Sequence, residues 1–264
     1  MIRSMALALT AVLAGTLVSA PIATAAPAGD YRLFAEHAWW SATWQTKDKT
    51  FVWVAEQQLD MWIPPKESDD WLWRRKLTGN RKWLVGTEEE AKAAGVDVEG
   101  GWPTGEWRAA YGDWWAKENG REPAPQTGSW QWPTQEFQAS LPQDVDGLYA
   151  RLREDTKDRG ETPDLEMLVY VNDALRSGQV GPQLTAKLFQ VLDRVAGVSK
   201  VPGVANADGR KGTAYTASGQ NHRQQIIIDP ATGEFLGDRI VNSDGTETTL
   251  TGIVTKSGVD IGER

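Results

Sequence analysis

Apolar positions in the first third of the chain recur at a period of two. Phe34, Ala38, Trp40, Ala42 and Trp44 share one face with Trp39 on the other, which predicts a strand over 31–44. A second run, 50–63, sets Phe51, Trp53, Ala55, Leu59, Met61 and Ile63 on one face, with Gln57 interrupting it. Pro64-Pro65 ends that run by removing two ladder donors. Between the two lies Lys47-Asp48-Lys49, short and polar enough to predict an antiparallel hairpin. A third run over 71–77 places Trp71, Trp73, Arg75 and Leu77 together and extends the hairpin to a meander.

The period then lengthens. Thr87 with Glu90 three residues on is a capping box, and it predicts a short helix over 87–94 stopped by Gly95. The stretch 100–133 keeps no period apart from a short helical piece over 106–116, and a segment of that length without regular structure is often functional. Asp144 caps a helix to about 158, carrying Val145, Leu148 and Leu152 on one face. Thr162-Pro163 opens the next helix, with Leu165, Leu168, Val169 and Leu175 before Gly178. Leu184, Leu188, Val191, Leu192 and Val195 mark a third helix over 182–196. Strands return over 212–217, 223–229, 234–241 and 248–255, with Asp229-Pro230-Ala231-Thr232-Gly233 as the clearest turn. Ile226-Ile227-Ile228 is apolar on both faces, which places its strand centrally. The order strands, helices, strands predicts an α+β fold, a curved and mostly antiparallel sheet packed against about three helices. It forms one domain over 27–264, made of Trp-rich strands and a long loop (31–133), a helical section (144–196) and C-terminal strands (201–255).

The N-terminus changes where that domain is expected to work. Arg3 precedes an apolar run from Met5 to Val18, and Ala23-Thr24-Ala25-Ala26 offers small residues at cleavage spacing, so 1–26 reads as a signal peptide. The run is about 14 residues, short of the roughly 20 that cross a bilayer. The chain has no cysteine, which excludes disulfides and lipidation through an N-terminal cysteine. A secreted, extracellular protein without a permanent membrane anchor is expected. The formal net charge is −8, and it becomes one unit more negative once Arg3 is removed. Such a surface repels phosphate backbones and argues against nucleic acid as a partner.

All 14 tryptophans lie between Trp39 and Trp132. Each buries a large area and brings an indole N–H that wants an acceptor, so core packing and an exposed stacking surface are both open readings.

Several blocks of the chain carry a resemblance. Leu141-Pro142-Gln143-Asp144, Val195-Ala196-Gly197-Val198, Asp208-Gly209-Arg210-Lys211-Gly212 and the run Ile227 to Gly237 occur in that order, after aromatic strands holding Trp40, Trp53, Trp62 and Trp73. Over about 31–255 the chain resembles the CU044_5270 family of uncharacterised actinobacterial extracytoplasmic proteins. The resemblance implies an exported location and a curved sheet with helices, similar to the half-barrels of periplasmic lipoprotein carriers and sigma-factor regulators. It brings no catalytic residues, and the membrane segment common in that family has no counterpart after the signal here.

Chemistry-bearing motifs are sparse. The chain offers no cysteine nucleophile, no Gly-x-Ser-x-Gly elbow and no His-x-x-x-His spacing, and its two histidines, His37 and His222, fall on different strands. Glu106 with Asp113, or Asp69 with Asp70, are the carboxylate pairs nearest to tryptophans, and a chain with 36 acidic residues brings such pairs together by chance. No catalytic residue, metal or cofactor is assigned, and a noncatalytic protein is expected. Two binding readings stand. In one, a concave face takes a lipid or other apolar small molecule, with Trp53, Trp62 and Trp73 facing the pocket. In the other, Trp102, Trp107, Trp114, Trp115, Trp130 and Trp132 contact a cell-wall glycan or a protein partner.

Overall fold

The computed structural model describes residues 29–99 and 101–264; the expected signal peptide, 1–26, lies outside the described residues. Nine strands form one antiparallel sheet: β1 (Tyr31–Gln45), β2 (Thr50–Ile63), β3 (Asp70–Val85), β4 (Gly105–Ala110), β5 (Ser199–Ala205), β6 (Lys211–Ser218), β7 (His222–Ile228), β8 (Phe235–Asn242) and β9 (Glu247–Val259). Their order is β4-β3-β2-β1-β9-β8-β7-β6-β5, so the sheet is open, curved and bounded by β4 and β5. The helices are α1 (Glu88–Ala93), α2 (Trp114–Glu118), α3 (Gln135–Ser140), α4 (Val145–Asp155), α5 (Pro163–Arg176) and α6 (Pro182–Leu192). The α+β class with an antiparallel sheet is as the sequence predicts, with α4, α5 and α6 as the three helices expected against the sheet and α3 as a short helix not expected.

Period-two alternation assigns the faces. Phe34 pairs with Met61, Met61 with Trp73 and Trp73 with Trp107, a ladder of large side chains across β1 to β4 on the inner face. That face continues through Ile253, Ile226 and Tyr215 and packs against α4, α5 and α6. Leu148, Leu152, Leu168, Leu188 and Leu192 are fully buried there, each contributing roughly 1.5–3 kcal/mol of apolar burial. Ile226 and Ile227 are buried on opposite faces of β7, the central placement expected from the apolar run. On the outer face, Leu33, Ala35, Trp62 and Leu72 are covered by Val259 and Ile261.

Turn and cap chemistry sets the helix positions. Thr87 and Glu90 form both halves of the predicted capping box. Asp144 and Thr162 accept from Gly147 N and Leu165 N, as their positions in the sequence predict. Gly178 ends α5 at φ +67°, and a Cβ there would lie 2.7 Å from the Phe34 ring, so glycine lets the helix end close on β1.

Three expectations need correction. The segment 106–116 is not one helix: 105–110 is β4, paired with β3, and the helix starts only at Trp114 after Tyr111 and Gly112, both at positive φ. The third strand runs on to Val85 because Thr78-Gly79-Asn80 forms a bulge rather than a stop, held by hydrogen bonds of 2.6 and 2.7 Å from Thr78 Oγ1 and Asn80 Nδ2 to Glu56 Oε2. A fifth C-terminal strand, β5, precedes the four expected ones. It carries Pro202 and Gly203 and sits at the edge, where a missing N–H costs no ladder bond.

Candidate functional site

Strands β1, β2 and β3 present Phe34, Glu36, Leu59, Met61 and Trp73 on the inner face, opposite Asp173, Arg176 and Ser177 at the end of α5. Trp114 of α2 and Gln131-Trp132 form the remaining side, and these residues line a cavity of about 290 Å³ that opens to solvent. The aromatic wall is continuous. Trp73 lies 4.9 Å from Trp107 and 5.3 Å from Trp114 between ring centroids, and Trp114 meets Trp132 edge-on at 6.0 Å. Trp132 in turn lies 5.5 Å from Trp71. Offset and edge-on pairs of this kind contribute beyond their area alone. Gly112 makes the packing feasible: a Cβ at that position would come within 2.5 Å of the Trp132 ring. Asp113 caps α2 by accepting from Ala116 N, which fixes Trp114 over the cavity. The Trp114 Nε1 donor is buried without an acceptor among the described residues.

Behind the apolar wall lies a buried polar cluster. Arg176 Nη2 donates to Glu36 Oε1 at 2.9 Å, and its Nε is 3.8 Å from Asp238 Oδ1. Asp238, 1% exposed, also accepts from Thr251 Oγ1 at 2.6 Å and from Asn172 Nδ2 at 3.1 Å. Arg75 donates to Gln57 Oε1 through Nε and Nη2. Both guanidiniums approach the Trp40 ring, that of Arg176 at 4.9 Å and that of Arg75 at 5.3 Å from its centroid. Burial pushes the Glu36 carboxyl above the usual carboxylate range, and Arg176 partly offsets it. Burial also raises Asp173, whose hydrogen bond from Gln131 Nε2 is long at 3.3 Å. Burial opposes the charge on Arg176, but Glu36, Asp238 and Asp173 outweigh it and hold the guanidinium protonated. An ion pair this desolvated is weak evidence for stability, and removing one partner strands the other.

The structure distributes the sequence-predicted residues unevenly. Trp73, Trp114 and Trp132 line the cavity. Trp107 and Trp115 extend the same cluster outward, with Trp115 40% exposed. Trp53, Trp62 and Trp73 do not share one pocket. Trp53 shares the inner face with Trp73 but packs at its far end, against Trp83 at 5.3 Å and beneath Ala91 and Val96. Trp62 falls on the opposite face, because it is one residue out of phase with Met61. There it is fully buried, donates from Nε1 to Glu263 O at 2.6 Å and lies under the Arg74 guanidinium. Trp130 is also a packing residue, edge-on to Phe137 and bonded from Nε1 to Asp155 Oδ2 at 2.7 Å. Trp102 is half-buried in the cluster around Trp53.

Of the carboxylates weighed from the sequence, Glu106 pairs with Arg74, and Asp113 is the α2 cap. Sequence reasoning missed Phe34, Glu36, Leu59, Met61, Gln131, Asp173 and Arg176 as site residues. The available signal was Glu36, a charge on the otherwise apolar face that carries Phe34, Ala38 and Trp40. No family model, curated protein or solved structure matches this chain.

Proposed function

We propose that this chain is an exported, noncatalytic domain that binds a small amphipathic molecule between β1–β3 and α5. Its apolar part rests on Met61, Trp73, Trp114 and Trp132, and its polar end faces Glu36, Asp173 and Arg176. The observation that carries this reading is the cavity itself, aromatic on one side and ionic on the other. Sites for small molecules are mostly apolar with a few convergent polar groups, and range over roughly 300–1,000 Å³. At about 290 Å³ this one suits a single ring or short chain with its head group, or one end of a larger lipid, rather than a whole two-chain lipid. The noncatalytic reading is supported by the commitment of Glu36 and Asp238 to Arg176, Asn172 and Thr251. Residues 1–26 support export, so the ligand is met outside the cytoplasm. No helix among the described residues is long and apolar enough to cross a membrane.

The test is native mass spectrometry of the purified protein after incubation with an organic extract of its host envelope. A bound small amphiphile is expected with the parent and with Trp53→Phe, and at least tenfold less with Trp114→Leu. Absence of any adduct, or adducts indifferent to Trp114→Leu, contradicts the reading.

A second reading, binding of a cell-wall glycan or a protein through the loop tryptophans, is favoured by one observation, the exposed Trp115 beside Trp107 next to the open edge β4. A Trp115→Ala variant that loses retention on insoluble cell wall would support it. Retention equal to the parent would sink it.

A further inference from the structure

We infer that the ligand of the β1–β3/α5 cavity carries a compact cation, an ammonium group, at its polar end. This rests on the cavity reading above and narrows it. Three carboxylates, Glu36, Asp173 and Asp238, interact through the buried cluster with two guanidiniums, Arg176 and Arg75, so its acidic groups outnumber its basic ones by one. Glu166, which also faces Asp173, is itself faced by Arg159 and leaves that balance unchanged.

The excess has a location. Arg176 directs its ion pairs to Glu36 and Asp238 and its cationic face to Trp40. Arg75 is bonded to Gln57 and faces Trp40 and Trp102. Asp173 makes no direct ion pair among the described residues; it accepts from the amide of Gln131, feels Arg176 only at longer range, and lines the cavity. An anion entering here would add a fourth negative charge and compete with Glu36 for Arg176. A cation placed beside Asp173 would complete the balance.

The aromatic rings suit the same sign, while the unpaired Trp114 Nε1 offers a partner to an acceptor atom elsewhere on the ligand. Trp73, Trp114 and Trp132 all line the cavity and meet at different tilts, 37° between the first pair and 88° between the second. The faces of aromatic rings are negative and attract cations, most strongly where water is excluded. A quaternary ammonium matches both features, since it needs no hydrogen-bond acceptor for each donor and presents methyl groups to the rings.

Three probes with the same hexyl chain separate the possibilities: hexyltrimethylammonium, 1-hexanol and hexyl sulfate, each titrated calorimetrically into the protein at low ionic strength. The ammonium is expected to bind at least about tenfold more tightly than hexanol, a difference readily resolved by titration. Asp173→Asn should reduce ammonium affinity to the level of hexanol while leaving hexanol unchanged, and Asp173→Glu should keep the preference. Hexanol or hexyl sulfate as the tightest probe, or an ammonium affinity unchanged by Asp173→Asn, overturns the cation and leaves the cavity reading standing. If none of the three binds the parent protein, both fall.

Discussion

His37 shows how one residue can tie distant parts of this chain together. Its Nδ1 lies 2.7 Å from Asp208 Oδ1 and its Nε2 2.9 Å from Glu56 Oε1. Carboxylates only accept, so the ring can donate to both only as the imidazolium, with a proton on each nitrogen. Burial alone would lower the pKa of His37, but hydrogen bonds to Asp208 and Glu56 outweigh it and raise the value above normal. Burial raises Glu56 in the same way, yet hydrogen bonds from Thr78, Asn80 and His37 hold it below normal. The histidine contribution is complete below its unfolded value of about 6.5 and is lost as pH rises through its higher folded value. The Glu56 contribution is complete above about 4.3 and is lost as pH falls through its lower folded value. The clasp is therefore strongest at mildly acidic pH. Asp208 is more than a third exposed, so solvent screening limits the whole to about 1 kcal/mol. Urea midpoints of the parent and His37→Gln should differ most near pH 5 to 6 and converge above neutrality. A difference independent of pH would contradict the clasp.

Elements whose boundaries depend on local chemistry were legible in the sequence. Strand β2 was read with its observed ends because Pro64-Pro65 stops it, and α5 begins at Pro163 under its Thr162 cap as expected. Helix α5 also permits a graded test. Removing the Thr162 hydroxyl in Thr162→Ala should cost about 1 kcal/mol, the usual value of an N-cap. Gly178→Ala at its other end should cost about 2 kcal/mol or more, since it combines left-handed backbone strain with a clash against Phe34. Urea denaturation of the two variants checks the order, and an alanine at 178 tolerated better than one at 162 would contradict the packing described. Elements decided by partners were misread. Residues 105–110 have helix-compatible composition but become β4 through pairing of Trp107 with Trp73, and Thr78-Gly79-Asn80 imitates a turn that Glu56 converts to a bulge.

At the scale of the molecule, the seam between β1 and β9 makes one sheet of two sequence-distant halves. Glu36 on β1, Thr251 on β9, Asp238 on β8 and Arg176 on α5 meet at this seam. Their chain positions gave no hint of it, because antiparallel pairing across more than two hundred residues leaves no local signature. The tryptophan count pointed to the right half of the chain. It could not separate Trp73, Trp114 and Trp132 in the cavity from Trp53, Trp62 and Trp130 in packing, which depends on strand phase and loop path. That separation can be observed directly. Fluorine NMR of protein labelled with 5-fluorotryptophan, with each resonance assigned by Trp→Phe replacement, reports every indole during titration with hexyltrimethylammonium and 1-hexanol. Saturable shifts at Trp73, Trp114 and Trp132, with Trp53, Trp62 and Trp130 unmoved, are the predicted result. Spectra in which no indole responds to either probe, or in which the packing tryptophans move and the cavity ones do not, would contradict a ligand site between the sheet and α5.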